Sequence, residues 1–247
     1  MSSTEFLFQG IVKAFELIID LNPYLLSITW VSIKVSGTAT FLATLTAIPL
    51  AFALHFLHFK GKQVFIALIN TGMGLPPVFV GLFVFLMLVP SGPLGFMNMI
   101  FTPKAMVIAQ YILVTPIITG ICLAPIKAVP KSIIETVYTL GGEKRDAIIM
   151  VMKEARFGII TAILAGLGRA LSEVGAILIV GGNIARTGSI GGIGEGISYT
   201  RTLTTAITSE TSKANISTAI ALGIILILLY LCVTMLGAFF QRKSYAR

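Results

Sequence analysis

The sequence predicts an all-α integral membrane protein, with five spanning helices and an N-terminal amphipathic helix. Of the 247 residues, 56% are hydrophobic and 11% charged, and a water-soluble domain of that composition would lack polar side chains to cover its surface. Five runs are apolar over about 20 residues or more, the length that crosses about 30 Å of hydrocarbon. The basic residues sit in short stretches between those runs, as topology signals do.

The elements follow in chain order. Over residues 5–20, Phe6, Ile11, Val12, Phe15, Leu17 and Ile18 recur at helical spacing among polar residues. That segment is short and polar for a span and reads as an amphipathic helix in the interface, within an extracytoplasmic segment 1–28; a sixth span is the alternative. Spans are expected at 29–57, 64–88, 105–126, 157–181 and 216–240, so that 29–247 forms one transmembrane domain without an internal repeat or an appended soluble domain. No basic n-region or A-x-A site precedes an apolar core at the start, so the internal helices are expected to direct insertion.

Orientation follows from Lys and Arg near the helix ends. One side holds eleven (60, 62, 127, 131, 144, 145, 153, 156, 242, 243 and 247) and the other six (13, 34, 104, 186, 201 and 213). The richer side is expected to be cytoplasmic, with the N-terminus outside and the C-terminus inside, in the cell membrane. The net charge of +8 is thereby a topology signal. It is not a nucleic-acid footprint, because no basic patch interleaves with aromatics.

Between the third and fourth spans, 127–156 holds Pro130-Lys-Ser-Ile-Ile-Glu-Thr-Val-Tyr-Thr-Leu-Gly-Gly142. Pro130 suits a helix start, Ile133, Ile134, Val137 and Leu140 form an apolar stripe, and Gly141-Gly142 supplies a stop, Gly141 being suited to the positive φ that often ends a helix. A second short amphipathic helix is expected over Ala147, Ile148, Val151 and Met152. Two short helices joined at a glycine pair suit a groove on another protein, and equally an ordinary loop packed under the bundle.

Several intramembrane residues are candidates for the pathway. Pro76-Pro77 falls in the middle of the second span, where missing N–H groups interrupt the ladder. Such a break lines a polar cavity or packs as a kink, and Gly72 and Gly74 tilt the reading toward the pathway. Arg169 and Glu173 lie four apart and share a face in the fourth span. A structural or gating ion pair is preferred there to a ligand site, since charges at membrane depth pair with one another. Ser32, Ser36, Thr40 and Thr44 form a hydroxyl stripe, for which bonding to backbone or a neighbouring helix is the preferred role. The segment 183–214 gathers Asn183, Arg201, Thr204, Thr205 and other hydroxyls, hydrogen-bond donors suited to a polar site and also to a solvated loop.

Enzyme classes find no support. There is no G-x-x-x-x-G-K-[ST] loop, His55 and His58 sit together without a nucleophile, and Cys122 and Cys232 lie in apolar runs without ligand spacing. A gradient-driven secondary carrier should show an internal repeat and usually more spans.

Glu135-Thr136-Val137 with Gly141 six residues after the glutamate, then Gly142 and Val151, resembles the EAA loop of ABC importer permeases. Lys153-Glu154 departs from the general pattern, which has Leu-Pro there. Lys153-Glu-Ala-Arg156 is instead similar to tungstate-type permeases, as are Asn70-Thr-Gly-Met-Gly-Leu-Pro-Pro-Val78, Gly168-Arg-Ala-Leu-Ser-Glu-Val-Gly175, Gly181-Gly-Asn-Ile184, Thr200-Arg-Thr-Leu-Thr-Thr-Ala-Ile207 and Glu210-Thr-Ser-Lys213. The glycine-rich stretch 185–199 is longer than the connector expected there. The resemblance implies a type I (MetI-like) importer permease that homodimerises and moves an oxyanion, with tungstate ahead of molybdate or sulfate. It implies two cytoplasmic ATPase subunits docked on the EAA loop, ATP and Mg held by them and no cofactor in this chain, and an extracytoplasmic binding protein facing the outer gate.

Overall fold

The computed structural model describes residues 3–186 and 197–245. The helices are α1 (Ser3–Ile19), α2 (Pro23–Phe56), α3 (Lys62–Met73), α4 (Pro77–Leu88), α5 (Pro103–Ala128), α6 (Lys131–Thr139), α7 (Lys144–Leu171), α8 (Gly175–Gly181), α9 (Leu203–Ser212) and α10 (Ile216–Tyr245). Strands β1 (Ala185–Arg186) and β2 (Ile197–Ser198) pair antiparallel. Most of the glycine-rich stretch, 187–196, lies outside the described residues.

Helices α2, α5 and α10 are long and apolar enough to cross a membrane unbroken, and five spans result if the bent pairs α3–α4 and α7–α8 each count as one. The first break is the one expected at Pro76-Pro77, and two details after it differ from expectation. The second span breaks after Gly74, and Pro77 opens α4 as its first residue behind Pro76 in an extended conformation, φ −63° and ψ 121°. The missing proline N–H therefore falls where no helical bond is due. The fourth span breaks at 172–174, without a proline. The second short cytoplasmic helix is not separate: α7 runs unbroken through 28 residues from Lys144. Lys153-Glu154-Ala155-Arg156, between that expected helix and the span expected from 157, contains good helix formers and no breaker.

Helix α1 is amphipathic as expected, with Ala14 buried and Ile11, Val12, Phe15 and Ile19 exposed. Helix α6 begins after Pro130 and ends where Gly141 takes φ +84°. The Gly142 N–H closes the end on the Val137 carbonyl at 2.9 Å.

The chain divides into two compact units. In the first, Met1–Ala39, Pro76–Gln110 and Ala170–Leu231, the core joins Ala14 of α1, Leu25 and Ile28 of α2, Leu203 and Ala206 of α9, and Leu222 of α10. Here α4 crosses α8 so closely that a Cβ on Gly81 would lie 2.6 Å from Ala176 Cα. In the second unit, Thr40–Leu75, Tyr111–Arg169 and Cys232–Arg247, glycines meet the bulky residues of α5. A Cβ on Gly72 would lie 2.9 Å from Pro116, and one on Gly166 2.6 Å from Ile118. Small residues let helices approach where lipid removes any hydrophobic drive. Gly72 is thus a packing residue against Pro116.

Gly81→Leu should wedge α4 from α8 and destabilise the protein by about 1–3 kcal/mol, the usual range for overpacking. Gly223→Ala, where a Cβ meets nothing within 4 Å and a helix interior favours Ala over Gly, should hold or raise the thermal unfolding midpoint of the purified protein. Equal midpoints for the two variants would contradict the close crossing.

Candidate functional site

The break between α7 and α8 leaves backbone groups that water cannot reach in hydrocarbon, so protein must satisfy them. Three side chains do so. Gln110, fully buried on α5, donates through Nε2 to the Ala170 carbonyl at 2.8 Å and to Ser36 Oγ at 3.2 Å. Thr204 of α9 donates to the Glu173 carbonyl at 2.7 Å. Glu173, 4% exposed, folds its own carboxylate forward and accepts the Ala176 N–H at 3.2 Å. The start of α4 packs on this junction: a Cβ on Gly175 would lie 2.7 Å from Val78 Cγ2 and 3.7 Å from Glu173 Oε1. The structure therefore brings the Pro76-Pro77 break beside Glu173.

Around the junction the hydroxyls of 200–205 turn inward. Thr200 donates to the Gly181 carbonyl at 2.6 Å and accepts the Ile184 N–H at 2.8 Å. Thr202 and Thr205 form a capping box at the start of α9. Ser32 of the predicted stripe accepts the Leu203 N–H at 2.7 Å and donates to its own helix at Ile28. The stripe's preferred structural role holds at Ser32, at Ser36 and at Thr44, which donates to Thr40 O; the Thr40 hydroxyl is buried without a partner among the described residues.

Next to α9 a buried carboxylate organises a polar cluster. Glu210, 1% exposed, accepts from Tyr24 Oη at 3.0 Å, Lys213 Nζ at 3.0 Å and Asn215 Nδ2 at 3.1 Å. Arg201 donates to Tyr24 Oη at 2.6 Å and reaches the Asn183 carbonyl at 3.5 Å, with Glu210 itself 3.9 Å away. Asn183 sits at φ +50° after α8, so the cluster ties the exit of α8 to the entry of α2 and the end of α9. Burial disfavours the Glu210 anion, but hydrogen bonds from Lys213, Tyr24 and Asn215 outweigh it and hold the carboxyl below its ordinary range.

The coupling candidates form a separate constellation. Glu135 and Thr136 are exposed and Val137 half-buried on α6, Gly141 and Gly142 end that helix, and Val151 is buried on α7. No residue of α6 is buried, and Leu140 behind it is 82% exposed. Asp146 accepts the Glu143 N–H at 2.8 Å, which caps the start of α7. Arg169 lies exposed in the last turn of α7.

Residues 28–244 match the family described as the binding-protein-dependent transport system inner membrane component. The chain belongs to that family. It is 47% identical over 229 residues to a probable anion ABC transporter permease protein of Haloferax volcanii, covering 92% of this chain and 96% of that one. It is 35% identical to the tungstate uptake system permease protein TupB of Peptoclostridium acidaminophilum, covering 91% and 93%. The methionine ABC transporter MetNI in an inward-facing conformation shares the fold at a TM-score of 0.68 and 13% identity, covering 90% of this chain and 96% of that one. The expected type I importer permease fold is thereby established.

For an ABC importer permease, sequence reasoning missed Gln110, Tyr24 and Glu210 as site residues. Gln110 did carry a signal, as an uncharged amide in the middle of an apolar span, where a buried polar group needs a partner. Glu210 stood in the Glu210-Thr-Ser-Lys213 string of the resemblance, but nothing pointed to Tyr24 or to their pairing, which spans 186 residues of sequence.

Because the folded-state pKa of Glu210 is depressed, its contribution to stability is present above the ordinary carboxylate range near pH 4 and is lost as pH falls through the lower folded value. Glu210→Gln should lower the neutral-pH stability of the purified permease by about 1–3 kcal/mol. It should also flatten the decline in unfolding midpoint on acidification. An unchanged acid profile would mean that Glu210 is not the group holding the cluster.

Proposed function

We propose that this chain is the permease of a tungstate importer. It homodimerises in the cell membrane with its N-terminus outside and its C-terminus in the cytoplasm, its transmembrane domain spanning 29–247 behind the interfacial segment 1–28. Two ATPase subunits supply ATP and Mg, and an extracytoplasmic binding protein delivers the anion. The observation that carries the substrate is the 35% identity over 225 residues to a permease named for tungstate uptake. Molybdate or sulfate is the second reading.

The ATPase subunits dock on 127–156. A helix without a buried residue, followed by a leucine 82% exposed, is a face that favours a partner protein. Glu135, Thr136, Val137, Gly141, Gly142 and Val151 form the coupling set. Pro76, Pro77, Arg169, Glu173, Asn183, Arg201, Thr204 and Thr205 belong to the gate. The direct hydrogen bonds of Glu173 and Thr204 to backbone at the α7–α8 break support a gating role over anion binding.

Reconstituted with its ATPase and binding protein, the transporter should take up tungstate in preference to molybdate and sulfate in an isotope competition assay. Equal uptake of molybdate would replace the substrate assignment.

Gly141→Val forces a β-branched residue into φ +84°, a region that costs an L-residue about 1–2 kcal/mol or more. Permease abundance should hold, since the spans insert by their own hydrophobicity, while ATPase recovered with the complex and coupled uptake both fall. Normal recovery and normal coupled turnover would remove the docking assignment.

A further inference from the structure

A cavity of about 690 Å³ opens in the first unit where α2, the start of α5 and the segment before it converge. It lies apart from the α7–α8 junction and from the Glu210 cluster. Its volume falls in the range of small-molecule sites, about 300–1,000 Å³. Twelve residues line it: two are Lys34 and Lys104, none is acidic, and Val35, Met97, Met99, Val107 and Ile108 give it an apolar wall. Among the described residues neither lysine has a carboxylate partner. The two threonines of the lining are already committed, Thr38 to the Lys34 carbonyl at 2.6 Å and Thr102 to the Met99 carbonyl at 2.6 Å. The cavity thus offers two uncompensated positive charges over an apolar surface.

Its level along the helices selects the occupant. Lys34 lies about 16 Å from the start of α2 at 1.5 Å per residue, and α2 exceeds the hydrocarbon thickness by about 20 Å. That excess lies outside the hydrocarbon, and Trp30 places part of it at the first turns of α2. Trp30, one turn before Lys34, is 65% exposed, as an aromatic residue anchored at headgroup level is. Lys104 is the second residue of α5, at the end of a span. A freely diffusing oxyanion would gain from the lysines and nothing from the apolar wall. A lipid gains from both.

We propose that this cavity holds an anionic phospholipid, its phosphate shared by Lys34 and Lys104 and the upper part of an acyl chain against Val107 and Ile108. The proposal rests on the chain spanning a membrane and is independent of which anion is transported. Ammonium groups serve phosphate as point charges with rotatable donors, and their long stems reach headgroup level from within a span.

The test uses the assembled transporter with phosphatidylglycerol and phosphatidylcholine of matched chains, and native mass spectrometry to read which lipid is retained. Phosphatidylglycerol should be preferred. Lys34→Gln and Lys104→Gln should each reduce that preference about fivefold, and together about 25-fold, the effect of one basic residue per step at an anionic surface. The Lys34→Arg, Lys104→Arg variant should keep it. Excess sodium tungstate or inorganic phosphate should not displace the lipid. Should the glutamine variants fail to assemble, the unaltered protein still decides the matter: phosphatidylglycerol should raise its unfolding midpoint above that in phosphatidylcholine. Equal retention of the two lipids, a preference unchanged in the double variant, or no difference in midpoint would overturn the proposal. Displacement by tungstate or phosphate would overturn it in favour of a free-oxyanion site.

Discussion

A peptide group without a partner in hydrocarbon costs several kcal/mol, and the architecture of the first unit is arranged around that penalty. Helix α7 stops at Leu171 and α8 starts at Gly175, leaving carbonyls and N–H groups short of regular helical partners, with the Ala170 carbonyl taking a long 3.3 Å bond from the Glu173 N–H. Gln110 and Thr204 supply donors to two of the carbonyls, and the Glu173 carboxylate supplies an acceptor to an N–H. Each satisfies a group that would otherwise forbid the break. Remove the break and these three polar side chains would themselves be buried without purpose, so backbone and side chains justify each other.

The second constraint is close approach. Hydrocarbon tails are as apolar as leucine, so helices in lipid hold together by dispersion and hydrogen bonding, both of which fall steeply with distance. Gly81 admits the backbone of α8 at Ala176, and Gly72 and Gly166 admit Pro116 and Ile118 of α5. Prolines of α5 thus do two things: they lack an N–H within their own helix, and their rings fill the hollow that a facing glycine leaves.

What could be read from the sequence was what local chemistry encodes. Apolar runs gave the spans, the Pro130 and Gly141 punctuation gave α6, and the period of Ile11, Val12 and Phe15 gave α1. The proline pair at 76 and 77 announced the first break because proline acts on its own backbone. The second break was silent, since 172–174 carries no proline and its existence depends on partners 60 and 31 residues away. The hydroxyls of 200–205 were ambiguous for the same reason: the composition that suits a solvated loop or an anion also suits a buried helix whose caps and neighbours need donors. The continuity of α7 through 153–156 was legible in propensity alone, since that stretch holds good helix formers and no breaker.

That continuity has a mechanical consequence for a docked permease. Helix α7 is 28 residues long, about 42 Å, and bending it within the membrane would break backbone bonds that nothing replaces. Displacement at its Lys144 end is therefore absorbed at the two ends. One is the Gly141-Gly142 joint, where φ is already +84° at Gly141 and a glycine moves at little cost. The other is the stretch 172–174, where the contacts are side chain to backbone, each worth a net of about 0.5–1.5 kcal/mol, and exchangeable for others within the same cluster. Gly141-Gly142 of the proposed coupling set and Glu173 of the proposed gate thus flank one unbroken helix.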